Sequence, residues 1–204
     1  MTEISGIGKL SHACQSGKHA FAERKFDLYP TPACAVEALL RAEIPPLTVW
    51  EPAAGKGAIV NMLRARGHTV VASDITDYGF PLDFVADFLT TVLPPKGCGA
   101  IITNPPYQIA TEFACHAVDL APRVYLLLRL AFLESIRRTD VLERRGLARV
   151  HVFRRRLPMM HRDGWNGPRA SSAIAFAWFC WDRDSRGPTV VDRIGAGQPW
   201  EAQP

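Results

Sequence analysis

Residues 103–108 read Thr-Asn-Pro-Pro-Tyr-Gln and follow the apolar run Gly99–Ile102. Two successive prolines cannot continue a strand, and the residue before each is pushed away from helical backbone. Asn104, Pro105, Pro106 and Tyr107 therefore hold one amide, two carbonyls and one aromatic ring in a stiff corner. Such a corner suits the holding of a flat, polar group. Upstream, Glu-Pro-Ala-Ala-Gly-Lys-Gly (Glu51–Gly57) puts an acid at the end of an apolar segment, followed by two glycines entering a helix. Glycines there let backbone approach a ligand closely, and a helix start offers free amides. The segment satisfies neither the Walker A pattern nor the dinucleotide Gly-x-Gly-x-x-Gly pattern. Glu51 would repel phosphate but could accept from a cationic amino group. Asp74 closes the next apolar segment, where an acid can receive ribose hydroxyls or simply cap the following turn. Asp87 and Phe88 could bracket an adenine, with the carboxylate on its amino group and the ring on its face. In series, these residues describe an adenosine pocket.

The elements that must position them alternate between strand and helix. A helix is expected from Thr31 as cap and Pro32 as first residue through ACAVEALLRAE, ending before Pro45 and Pro46. LTVWEPAAGKG reads as strand into glycine turn, GAIVNMLRARG as helix, HTVVASDI as strand and DFVADFL as a short element. GAIITNPPY is a strand, QIATEFACHAVDLA a helix, RVYLLLRL a strand, and FLESIRRTDVLERRG a further helix. ARVHVFRRRLP and SSAIAFAWFCWD both look extended, with the loop Met159–Ala170 between them. This alternation predicts an α/β fold with a mainly parallel sheet, helices on both faces and an antiparallel addition at one edge. Ligands in such sheets sit at the carboxyl ends of strands, where all the motifs fall. Residues 1–25 are expected to be an arm, 26–182 a catalytic domain, and 183–204 a flexible tail.

At 204 residues, with 22% charged residues and mean hydropathy near zero, the composition is that of a globular domain. The five cysteines are scattered and never spaced as Cys-x-x-Cys, so neither a disulfide framework nor a metal site is indicated. The N-terminus lacks the apolar core of a secretory signal, and no stretch suits a membrane span, so a cytoplasmic location is expected. Net charge is only +4, yet eight arginines crowd residues 137–156. They are either a solvated face or a phosphate-binding surface.

The motifs Glu51–Gly57, Asp74, Asp87–Phe88 and Asn104–Tyr107 together resemble those of S-adenosylmethionine-dependent amino-methyltransferases. More narrowly, the sequence is similar to N6-adenine DNA methyltransferases, especially the small forms of phages and prophages. The resemblance spans roughly residues 26–180 and has the order of the family's gamma arrangement. It implies a Rossmann-like class I methyltransferase fold with a seven-stranded sheet, and S-adenosyl-L-methionine as cofactor. It also implies that FDLYPTP, with Tyr29, Thr31 and Pro32, closes over the methionine end. The remaining cofactor contacts would be Glu51, Pro52, Ala53, Gly55, Gly57, Asp74, Ile75, Asp87, Phe88 and Asn104. Catalysis would fall to Asn104, Pro105, Pro106 and Tyr107: the Asn104 side-chain oxygen and the Pro105 carbonyl accept from the amine while Tyr107 stacks on the base. The substrate is then DNA, duplex or locally unpaired, with the base flipped out. Phe153 or Trp165 would form the second wall of the base slot, although Phe153 could equally pack in the core. Arg156 and Arg169 would contact the nucleic acid. Room for target recognition is confined to Met159–Ala170, with His161, Arg162 and Asn166, which leaves short specificity or a homodimer as expectations. The same corner also fits an RNA base or a protein glutamine amide. From another class, a non-catalytic nucleic-acid-binding module could retain the fold.

Overall fold

A computed structural model describes residues 30–158 and 174–195. Eight strands form one sheet: β1 (Thr48–Glu51), β2 (Thr69–Asp74), β3 (Phe84–Val85), β4 (Ala100–Thr103), β5 (Arg123–Arg129), β6 (Leu147–Phe153), β7 (Phe176–Asp182) and β8 (Val190–Ile194). Their spatial order is β3-β2-β1-β4-β5-β7-β6-β8. Strands β3, β2, β1, β4 and β5 run parallel. Strand β7 is antiparallel to both neighbours, whereas β6 and β8 are parallel to each other. The chain order reverses between β1 and β4, which makes the carboxyl ends of those two strands the place for a ligand crevice.

Helices α1 (Ala33–Ala42), α2 (Ala58–Ala65) and α3 (Ala110–Leu120) cover the faces. In α1, Ala35, Val36, Ala38 and Leu39 are buried at helical spacing. They join Val60 and Leu63 of α2 in one core layer, while Phe113, Ala114 and Ala117 of α3 fill the layer on the opposite face. Three buried indoles find acceptors: Trp50 donates to Ser73 Oγ, Trp178 to the Ala35 carbonyl and Trp181 to the Val141 carbonyl, each at 2.8 Å. The last two fasten α1 and the segment around Val141 to β7.

Four expectations change. Thr31 does not cap α1: Pro32 itself occupies the N-cap in extended backbone, with no side-chain cap. Thr31 is instead buried, at the edge of the cleft described below. The helix expected over FLESIRRTDVLERRG is broken into two short 3-10 turns, Leu130–Leu133 and Ile136–Arg138, and a π-turn, Asp140–Arg144. Ser135 adopts φ +95°, which no helix admits. Arg138 then donates to the carbonyls of Ala131, Phe132 and Glu134. The sheet has eight strands rather than seven, and its antiparallel member lies inside rather than at the edge. FAWFCWD is apolar on both faces and belongs between two neighbours. Finally, the stretch expected to be a tail from residue 183 supplies β8. Four of its five residues are exposed, which is why alternation did not announce it.

Candidate functional site

The cleft opens at the carboxyl ends of β1, β2 and β4 and extends toward Asp87. Glu51, Pro52, Ala53 and Gly55 line it after β1, Asp74 and Ile75 after β2, Asp87 and Phe88 after β3, and Asn104 and Pro106 after β4, the strand paired with β1. Thr31 and Pro30 reach it from the start of α1. Sequence reasoning missed Tyr78, Ile109 and Phe113, which also line it, because nothing local separates them from ordinary loop or helix residues.

The glycine turn has its form for steric reasons. Gly55 and Gly57 adopt φ +53° and +78°, and Gly57 is the N-cap of α2. A Cβ on Gly57 would stand 2.0 Å from Cε2 of Phe80. Gly57→Ala is expected to lose at least about 1–2 kcal/mol from left-handed backbone alone, with more from moving Phe80. A lowered thermal midpoint together with weakened ligand binding checks this.

Glu51 is 1% exposed. Its Oε1 accepts from the Ala53 amide at 3.0 Å; Oε2 and the neighbouring Thr103 Oγ1 are buried with no partner in good hydrogen-bond geometry, although the Thr103 hydroxyl is near enough to favour the carboxylate. Burial outweighs Thr103 and the Ala53 amide and, with a smaller push from the Asp74 charge, raises the Glu51 carboxyl to about 8. A buried acceptor left open in this way costs stability, and its place in the cleft invites a donor from a ligand. Asp74 accepts from the Gly55 amide at 2.8 Å and the Thr76 amide at 3.1 Å. It thus braces the glycine turn as well as facing the cleft, and burial raises its pKa. Asp87 accepts from the Leu89 amide at 3.0 Å and lines the cleft. Phe88 stacks on Phe113 with centroids 4.2 Å apart and meets Trp50 edge-on, so most of its ring belongs to the core.

Strand β4 stops at Thr103, and after the two prolines a 3-10 turn, Tyr107–Ile109, leads into α3. Tyr107 donates its hydroxyl to Asn104 Oδ1 at 2.8 Å. An amide oxygen has two lone pairs, so one hydrogen bond from Tyr107 can orient Asn104 without using up its capacity to accept. Phe176 stands 5.6 Å from the Tyr107 ring; it is an aromatic neighbour that sequence reading did not single out. Phe153 packs in the core with Leu157, Phe176 and Ile194 and does not line the cleft. Pro32 sits at the α1 cap and Pro105 is buried, and neither is among the residues that line the cleft. Arg156 is exposed just beyond β6. Tyr29, Trp165 and Arg169 lie outside the described residues, as do His161, Arg162 and Asn166.

The arginine cluster divides by role. Arg138 is a structural clamp, Arg145 pairs with Asp119 and Asp140, and Arg149 holds Glu43. Arg154, Arg155 and Arg156 stay exposed after β6, at the same end of the sheet as the cleft.

Glu43, His151 and Cys180 bring ligand-type atoms within 4.8 Å of one another, all buried. The carboxylate is already engaged: Arg149 donates to both oxygens, and His151 Nε2 lies 2.7 Å from Oε1. His151 Nδ1 is 2.5 Å from Asp192 of β8. Burial opposes the imidazolium, but the two carboxylates outweigh it and raise the His151 pKa. Burial likewise opposes Glu43 ionisation, and hydrogen bonds from His151 and Arg149 outweigh it, lowering its pKa. The imidazolium's stabilisation is full below the unfolded pKa of about 6.5 and is lost as pH rises through the higher folded value. That of Glu43 is full above its unfolded pKa and lost as pH falls through the lower folded one. Thermal midpoint should therefore decline as pH climbs above about 6.5, and His151→Gln should flatten that decline. Breaking so buried a pair is expected to cost about 3 kcal/mol at pH 6.

No protein-family profile matches the sequence, and no curated protein matches it. Solved structures do. A proposed RNA methyltransferase from Pyrococcus horikoshii superposes with a TM-score of 0.54 at 17% identity, over 77% of this chain and 87% of that one. The modification subunit of a proposed type I restriction enzyme from Vibrio vulnificus gives 0.55 at 15% identity, over 89% of this chain and 49% of that one. This chain spans about half the length of that subunit. A proposed hemolysin from Lactococcus lactis gives 0.54 at 10% identity, over 78% and 91%. At such identities the likeness establishes the fold, a Rossmann-like class I methyltransferase fold, and the site must carry the function.

Proposed function

We propose that the chain transfers a methyl group from S-adenosyl-L-methionine to the exocyclic N6 of adenine in DNA. The observation that carries this reading is the continuity of the cleft: Asn104 lines the same cavity as Glu51, Gly55, Asp74 and Asp87. Once a ligand ammonium has taken the place of the Glu51 proton, three carboxylates face the cleft against one cation among the described lining residues, Lys56, so it suits a cationic ligand and disfavours a polyphosphate. The open oxygen of Glu51 fits a ligand ammonium, Asp74 fits ribose hydroxyls, and Asp87 fits the adenine amino group. When bound, S-adenosylmethionine supplies an electrophilic methyl group carried on a sulfonium.

The rest is done by this chain's own residues. The lone pair of an aromatic amine is delocalised into the ring. Asn104 Oδ1, oriented by Tyr107, accepts one N–H and draws the nitrogen toward a tetrahedral form in which that pair is available. The Pro105 carbonyl is the second acceptor in this reading. Both are fixed before substrate arrives, which is electrostatic preorganisation. Tyr107 offers the stacking face for a base taken out of its helix, where stacking offsets roughly 1–3 kcal/mol per base. A strong general base is unnecessary before transfer because charge on the nitrogen develops as a cation, and the methylated nitrogen, now strongly acidic, gives its extra proton to water.

A second reading, methylation of adenine in RNA, is favoured by one comparison: the proposed RNA methyltransferase is matched over 87% of its length. Mass spectrometry of nucleosides from DNA and RNA of cells expressing the protein, beside an Asn104→Ala control, separates the two. N6-methyladenine appearing only in DNA and only with wild type is the expected result. Its appearance in RNA alone moves the substrate, and methylation of neither sinks the reading.

A further inference from the structure

The platform of Tyr107 already carries something flat. Cζ of Arg129 lies 4.9 Å from the centroid of the Tyr107 ring, over its face. Arg129 is the last residue of β5, exposed, and paired in register with Phe176. Among the described residues no carboxylate pairs with it. A guanidinium is planar, delocalised and weakly hydrated, so on an aromatic face it occupies the space and uses the stacking that a nucleobase would use. A base arriving on that side of Tyr107 must move Arg129 aside. The displaced cation then stands next to the nucleotide it made room for, whose nearest charge is its own phosphate.

We propose that Arg129 is a placeholder and positioning residue: it sits on Tyr107 while the base slot is empty and shifts to a phosphate of the extruded nucleotide when a base stacks there. This deepens the nucleic-acid reading above and rests on it. It makes the substrate a nucleotide within a strand rather than a free nucleoside. It also explains why a cation with no acidic partner among the described residues sits beside a cleft lined by Glu51, Asp74 and Asp87. Arg154–Arg156, leaving β6 at the same end of the sheet, extend the cationic surface along the strand's path.

The test uses the full chain with a random-sequence pool of single-stranded oligodeoxynucleotides, and adenosine nucleoside as a probe lacking phosphate. Affinity for the pool is measured against salt for wild type, Arg129→Ala and Arg129→Lys, and inhibition by adenosine is measured for each. One phosphate contact on a single strand contributes about 0.7 to the slope of log affinity against log salt. Arg129→Ala should lose about that much slope, and Arg129→Lys, which keeps the charge, should retain it. Adenosine should bind Arg129→Ala as well as wild type or better, because the ring face is vacated. An unchanged slope in Arg129→Ala overturns the proposal, as does an equal loss for pool and nucleoside, which would make Arg129 a mere support for Tyr107. If wild type methylates the pool while either of those results is found, only the placeholder fails. If wild type neither binds nor methylates the pool, the nucleic-acid reading falls and the placeholder with it.

Discussion

Asn104→Ala lowers methyl transfer by at least about 10²-fold, the lower end of what removing one preorganised polar group costs an enzyme, while cofactor affinity stays nearly unchanged. The asymmetry follows from role. Asn104 follows β4, the strand paired with β1, and offers the cleft one neutral amide, whereas Glu51, Asp74 and Asp87 offer the carboxyl groups that would take the cofactor's ammonium, ribose and adenine amine. Asn104 Oδ1 is held by the Tyr107 hydroxyl, and Tyr107→Phe should therefore give a smaller loss than Asn104→Ala: the stacking ring survives and only the orienting bond goes. Single-turnover transfer of labelled methyl, beside calorimetric titration of cofactor into each variant, measures both effects. A fully active Asn104→Ala would end the proposed mechanism.

The second large effect concerns Glu51. With its carboxyl pushed up to about 8 by burial, Glu51 holds a proton at pH 7 in the free protein. An ammonium can pair only with the carboxylate, so below pH 8 binding must expel that proton, and affinity should climb roughly tenfold per unit toward pH 8. The amino group of the ligand loses its own charge at about 7.7–8.0, so affinity should fall again above that. The optimum near pH 8 belongs to the pair. Calorimetry at pH 7 in two buffers of different ionisation heat should show release of close to one proton for wild type and almost none for Glu51→Gln. The same substitution removes a charged hydrogen bond worth roughly 1.5–3 kcal/mol, a loss of about 10- to 100-fold at pH 8. Binding heats independent of buffer in wild type would show that Glu51 does not meet the ammonium.

Much of this site is legible in the sequence because its signals are local. Proline stiffness at 105 and 106, left-handed glycines at 55 and 57, and acids at strand ends all act through neighbouring backbone. The same holds for α2, α3 and strands β1, β2, β4 and β5, whose patterning stands within each segment. What escapes is decided at a distance. Phe176 is one aromatic among several in FAWFCWD until the antiparallel pairing with β5 sets it opposite Arg129 and near Tyr107. The break at Ser135 is fixed by Arg138 reaching three carbonyls and Thr111 of α3, which no helical periodicity encodes. Glu43 and His151 are 108 positions apart and meet only after the sheet has formed.

Strand β8 has a practical corollary. It contributes Ile194 to the socket beside Phe153, and Asp192 to the imidazole of His151. A version shortened to Asp182 would strip hydrogen-bond partners from Arg149–Phe153 and bare an apolar rail on the outermost strand that remains. Self-association of that truncate, rather than a clean loss of turnover, is what such a deletion would report.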